Sequence, residues 1–101
     1  MNPRMQVARA KLERLLERHH LTAGMYVRVR GADLIMGRTE SPAASPTPDD
    51  DRVRLTWLQA STYGLSVKRH NGRWERTPFS GNMNQMVDAM LTFMQHLVAP
   101  S

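Results

Sequence analysis

The sequence contains no cysteine. That single absence removes a disulfide scaffold, a thiolate metal site and a cysteine nucleophile. Lysine is nearly missing too: of 14 basic residues, all but Lys11 and Lys68 are arginine. Arginine suits planar, bidentate contact with phosphate or carboxylate. No apolar run approaches the roughly 18 residues of a membrane span, and the opening Met-Asn-Pro-Arg-Met-Gln is polar. The expectation is a soluble cytoplasmic protein without a membrane partner. A glycine-rich phosphate loop is absent, and Ser61, Ser66 and Ser80 lack the context of a nucleophile elbow. The sequence therefore predicts neither a catalytic residue nor a cofactor, and a protein that is not an enzyme.

What is present suffices for one hydrophobic core and one domain: 101 residues, 41% of them apolar. Charge is unbalanced, with 14 basic residues against 9 acidic and a net +5. A positive surplus of this size favours acidic partners.

The chain opens with Asn2-Pro3, a good helix start because asparagine accepts at the N-cap and proline needs no donor at the first helical position. Met5, Ala8, Leu12, Leu15, Leu16 and His19 then recur at helical spacing. Arg9 and Glu13, four apart on the wet side, can pair weakly. The helix should end near His19-His20. Tyr26 to Arg30 reads as a strand, with Val27 and Val29 on one face and Arg28 and Arg30 on the other. Gly31-Ala32 supplies a two-residue turn with glycine first. That turn sets Val29 opposite Leu34, Val27 opposite Met36 and Arg30 opposite Asp33. Residues from about 40 to 51, rich in proline, serine and aspartate, form a solvated mobile loop inside the single domain.

Arg52 to Gln59, Thr62 to His70 and Arg73 to Phe79 form a three-strand meander. Asn71-Gly72 is the strongest short hairpin signal, since both residues tolerate positive φ. A two-residue turn there pairs His70 with Arg73, Lys68 with Glu75 and Arg69 with Trp74, the last as cross-strand packing or a cation–π contact. Val53, Leu55, Trp57, Tyr63, Leu65 and Val67 then share the buried face, with Trp74 beside them. Asn82 opens a last helix with Gln85 as capping-box partner, and Pro100 stops it. Its apolar residues cover more than half its circumference.

The assembled expectation is an α+β fold: an N-terminal helix, a five-strand antiparallel sheet made of a hairpin plus a meander, and a C-terminal helix, with both helices on one sheet face. The other face collects Arg28, Arg30, Arg52, Arg54, Lys68 and Arg73 with Thr56 and Ser66, relieved by Asp33 and Glu75. These six cations are the candidate polyanion-binding residues, acting by charge neutralisation without base readout. Nucleic acid is favoured narrowly over an acidic protein. Stacking of unpaired bases is not expected, because alternation points Trp57, Tyr63 and Trp74 inward. The competing reading is a protein-interaction module of the inhibitor, immunity or accessory kind. It docks an acidic partner on the same face or an apolar one on the methionine-rich helix.

Met83, Met86, Met90 and Met94 of that helix are the candidate apolar partner surface, methionine being adaptable and favoured at promiscuous contacts. Core packing against the sheet accounts for such residues too, but their apolar arc exceeds what one sheet contact needs, so the surplus is expected to bury an apolar partner or a second copy in a homodimer. His19, His20, His70 and His96 follow no ligand spacing, and Asp49-Asp50-Asp51 lacks the calcium-loop pattern. No metal site is predicted.

Overall fold

The computed structural model describes residues 3–41 and 43–100. The expected cap Asn2 and the loop residue Pro42 lie outside them. Helix α1 spans Pro3–Glu17 and is followed by strands β1 (Tyr26–Arg30) and β2 (Asp33–Gly37). A 3-10 turn, Pro48–Asp50, leads into β3 (Asp51–Gln59), β4 (Thr62–Lys68) and β5 (Trp74–Gly81), and the chain closes with α2 (Met83–Phe93) and α3 (Gln95–Val98). The five strands form one antiparallel sheet in the order β1-β2-β3-β4-β5. An all-neighbour meander of this kind needs only short connections. The helices pack on one face of it, so the fold is α+β as the sequence predicts.

Local chemistry explains the boundaries. Proline opens α1. The helix ends two residues before His19 because the Thr22 hydroxyl, fully buried, donates to the Leu16 carbonyl at 2.6 Å, and the Glu17 carboxylate accepts from Gly24 N at 3.1 Å. These contacts replace continued helical hydrogen bonds. Gly31 takes φ 59° in the β1–β2 turn, and the register Val29↔Leu34, Val27↔Met36 and Arg30↔Asp33 follows. At α2 the capping box is complete: Gln85 N donates to the Asn82 side chain at 2.8 Å and Asn82 N to that of Gln85 at 2.9 Å.

The last helix is not continuous. Met94 leaves helical geometry at φ −127° and ψ 26°, and α3 starts anew at Gln95. The break lets Val98 bury completely. Arg38 holds the new segment in place, donating from Nε to the Val98 carbonyl and from Nη2 to the Leu21 carbonyl, both at 2.7 Å. Burial, then repulsion from Arg52, lowers the pKa of this guanidinium.

The core lies between sheet and helices. Met5, Leu12 and Leu16 from α1 meet Val27, Leu34, Met36, Val53, Leu55, Leu65 and Val67 from the sheet, and Met83, Met86, Met90, Met94 and Val98 close the other side. This corrects the expected apolar partner surface: all four methionines of the last helix are buried inside the monomer. Their flexible side chains fill the irregular space where a broken helix crosses a twisted sheet. The exposed apolar residue on this helix is Phe93, 61% accessible and stacked on Phe79 at 5.1 Å.

Candidate functional site

The sheet face away from the helices carries the arginines. Residues alternate across a strand, so Arg28 and Arg30 of β1, Asp33 and Ile35 of β2, Arg54 and Thr56 of β3, and Gly64, Ser66 and Lys68 of β4 share this face. Ile35, an apolar residue on the polar side, is nonetheless buried. It stands between Arg28 and Arg54 in the ladder, where the long aliphatic stems of arginine can cover an apolar neighbour.

Of the six cations singled out, four lie on this face and two do not. Arg52 is displaced by a bulge: the register slips between Met36 and Gly37, which puts Asp51 opposite Gly37. Arg52 instead lines hollows at the end of the sheet with Leu97 and Pro100. Arg73 is displaced by the β4–β5 turn. Gly72 N donates to the Arg69 carbonyl at 2.9 Å, Arg69 N donates to the Arg73 carbonyl at 2.8 Å, and Gly72 sits at φ 84°. The loop therefore has three residues, a turn closed by a left-handed glycine, and not the expected two. A one-residue change of register turns every following side chain to the other face. Lys68 now pairs with Trp74 and Val67 with Glu75.

The consequences are large for a single residue of slip. Trp74 leaves the core side and joins the arginine face. Arg76 comes with it, standing opposite Ser66. Glu75 turns away and pairs with Arg69 at 3.1 Å, so neither the Lys68–Glu75 nor the Arg69–Trp74 contact forms as expected. The Arg54 guanidinium lies 4.7 Å from the Trp74 ring centroid, and Lys68 Nζ lies at 5.9 Å. Both are within cation–π range. Trp57, by contrast, packs against the core and takes Arg4 over its ring at 4.3 Å. Trp74 and Arg76 reach this face only because the turn is one residue longer than Asn71-Gly72 suggests. The run Arg69-His-Asn-Gly-Arg73 also fits a three-residue loop with glycine last.

Charge is distributed unevenly across the face. On the β1 side, Arg28 donates to both oxygens of Asp51, at 3.3 Å from Nε and 2.6 Å from Nη2. The Asp51 side chain is only 3% exposed. The Tyr26 hydroxyl donates to the same carboxylate at 2.5 Å. Burial, followed by the hydrogen bond and the charge of Asp51, pushes the Tyr26 phenol well above the usual tyrosine range. The hydrogen bond to Asp51 raises the Arg28 pKa. Arg30 stands opposite Asp33, whose carboxylate accepts from the Thr56 hydroxyl at 2.6 Å. This half of the face is close to neutral.

The β3–β5 half is not. Among the described residues, no carboxylate pairs with Arg54, Lys68 or Arg76. Lys68 donates to the Pro48 carbonyl, which leaves its charge uncompensated. Arg54, Thr56, Leu58, Gly64, Ser66 and Arg76 surround a hollow of about 190 Å³. Arg54 Nε is buried without an acceptor. Among the described residues, no three His, Asp or Glu side chains converge as metal ligands. His19 and His20 stack on each other at 4.7 Å, while His70 lies in the β4–β5 loop and His96 in α3. No helix of the described residues is long and apolar enough to cross a membrane.

No protein-family model matches this chain, and neither a curated protein nor a solved structure does.

Proposed function

We propose that this protein binds a polyanion, nucleic acid foremost, on the open face of its sheet, and that its role is binding and not catalysis. One observation carries the reading: Arg54, Lys68 and Arg76 stand together on three neighbouring strands with no carboxylate among the described residues paired to them. Like charges held this close repel one another, and a phosphate chain relieves the repulsion while releasing its own counterions. Arg30 extends the surface toward β1. Arg28 contributes little, because Asp51 already neutralises it. The experiment is fluorescence anisotropy with labelled nucleic acids across a salt series. Each phosphate neutralised adds about 0.7–0.9 to the slope of log affinity against log salt, so three to four engaged cations give a slope of about −2 to −4. Arg54→Ala flattens that slope by roughly one phosphate's worth.

Docking of an acidic protein is the second reading. The mixed charge of Arg28, Asp51, Arg30 and Asp33 on the β1 side supports it, since protein partners match signs point by point. Binding to an acidic protein surface without binding to nucleic acid at low salt would select it.

A further inference from the structure

Resting on the polyanion reading of this face, we propose that its ligand is single-stranded nucleic acid. One phosphate is held in the Arg54–Ser66–Arg76 hollow and one unpaired base is stacked at Trp74.

The hollow has the donors a phosphate needs. Ser66 is only 2% exposed and lines the hollow. A serine hydroxyl at the wall of such a hollow can donate to a phosphate oxygen. Arg54 and Arg76 flank it on either side, and neither has a carboxylate partner among the described residues. The floor is kept low by Gly64: a Cβ built there would sit 3.5 Å from Arg76 Nη2 and 3.6 Å from Leu58 Cδ1. Any longer side chain would fill the space that the guanidinium of Arg76 overhangs. At about 190 Å³ the hollow is below the roughly 300 Å³ at which pockets for whole small molecules begin. It suits one group of a polymer.

Trp74 supplies the second half. It precedes Arg76 by two residues on the same face of β5, and the Arg54 guanidinium spans the two sites, lining the hollow and lying over the indole. A planar guanidinium can stack on an aromatic ring while its edge donates to a phosphate oxygen. Width then separates one strand from two. The unpaired cations occupy three adjacent strands, about 10 Å across at strand spacing. The neighbouring strip, toward β1, is close to neutral, because Asp51 is paired with Arg28 and Asp33 stands opposite Arg30, and it offers a second phosphate backbone no surplus charge. A paired base cannot present its face to Trp74 without unstacking.

Three ligands with equal phosphates per strand test this: a thymidine 10-mer, an abasic 10-mer and a 10-base-pair duplex. They are titrated at 50 mM salt against the wild type, Trp74→Ala, Ser66→Ala and a Trp57→Phe protein in which Trp74 is the only tryptophan. The thymidine strand should bind about 5- to 150-fold more tightly than the abasic strand, the range of one stacked base. It should also quench Trp74 fluorescence, which the abasic strand should leave unchanged. Trp74→Ala should abolish the preference while abasic binding persists. Ser66→Ala should weaken both single strands alike. Equal binding of the two single strands without quenching would overturn base stacking and leave the polyanion reading standing. Tighter binding of the duplex would overturn the single-strand assignment. No binding of any ligand would remove both readings together. Should Trp74→Ala fail to fold, the comparison of the two strands on the wild type and the quenching of the Trp57→Phe protein decide without it.

Discussion

Asp51 shows how one residue can decide what its neighbours are for. A bulge carries it to the place opposite Gly37, where it accepts from both Tyr26 and Arg28. Gly37 is obligatory for that approach, because a Cβ there would collide with the Asp50 carbonyl oxygen and the Tyr26 hydroxyl. The pair removes Arg28 from the pool of available cations and gives Tyr26 a titration that the fold must hold back. Burial and Asp51 raise the folded pKa of the phenol above its unfolded value. Below pH 10 the phenol is protonated in both states and contributes fully. Above about pH 10 the unfolded tyrosine ionises while the folded one keeps its proton. The folded state then binds more protons, and stability falls as pH rises. The fall is shallower than the about 1.4 kcal/mol per pH unit of one fully buried proton, because solvent screens a half-buried group. Urea midpoints between pH 8 and 11 should therefore decline more steeply for the wild type than for Tyr26→Phe. Parallel declines would show that the Tyr26–Asp51 contact carries no titration.

At the scale of elements, the turns matter most. The β3–β4 connection places Ala60 at φ 47°, the left-handed region that costs a non-glycine residue about 1–2 kcal/mol. Its carbonyl accepts from Trp57 Nε1 at 2.8 Å and Arg4 Nη2 at 2.7 Å, which holds the turn against α1. Ala60→Gly keeps both contacts, since they use the backbone. It should raise stability by about 0.5–1 kcal/mol, the relief of strain less the extra entropy of glycine in the unfolded chain, read as a higher thermal midpoint. A lower midpoint would mean that the alanine methyl packs better than its backbone suffers. The elements themselves were legible in the sequence wherever periodicity spoke: α1 from its apolar spacing, β1–β2 from the Gly31-Ala32 turn, α2 from the Asn82–Gln85 box. The β4–β5 hairpin was legible as a hairpin but not in register. Asn71-Gly72 is compatible with a two-residue and a three-residue loop, and local sequence does not distinguish them when both faces of the second strand carry mixed residues. Glu75, Arg76 and Thr77 offer no apolar alternation to fix the phase. Half of the candidate site, Trp74 and Arg76, hung on that one ambiguity. Arg52 was misplaced for a related reason, since a bulge leaves no mark in the alternation of Arg52-Val-Arg-Leu.

For the whole molecule, the division of labour is between a methionine-lined interior and an arginine-lined outer face. The methionines are core, one of the two readings the apolar arc of the last helix allows; that the whole arc is used was hidden, because the break at Met94 has no proline or glycine to announce it. Met90, fully buried at the centre of α2, should cost about 2–5 kcal/mol when replaced by alanine, measured by denaturant unfolding. A cost below about 0.5 kcal/mol would mean that this helix is not docked as described. With the interior accounted for, the uncompensated charge of the outer face is what remains to be explained. It is concentrated on the β3–β5 side because Asp33 and Asp51 quiet the β1 side.

Phosphate binding by Arg54, Lys68 and Arg76 is what the function proposed for this face depends on. The most direct measurement is the anisotropy of a labelled single-stranded oligonucleotide titrated with the wild type and with the Arg54→Ala/Arg76→Ala protein from 25 to 200 mM salt. Affinity should fall linearly in log salt for the wild type, with a slope shallower by about 1.4, two phosphates at about 0.7 each, for the double variant. Equal affinity and equal slope for the two proteins would contradict it.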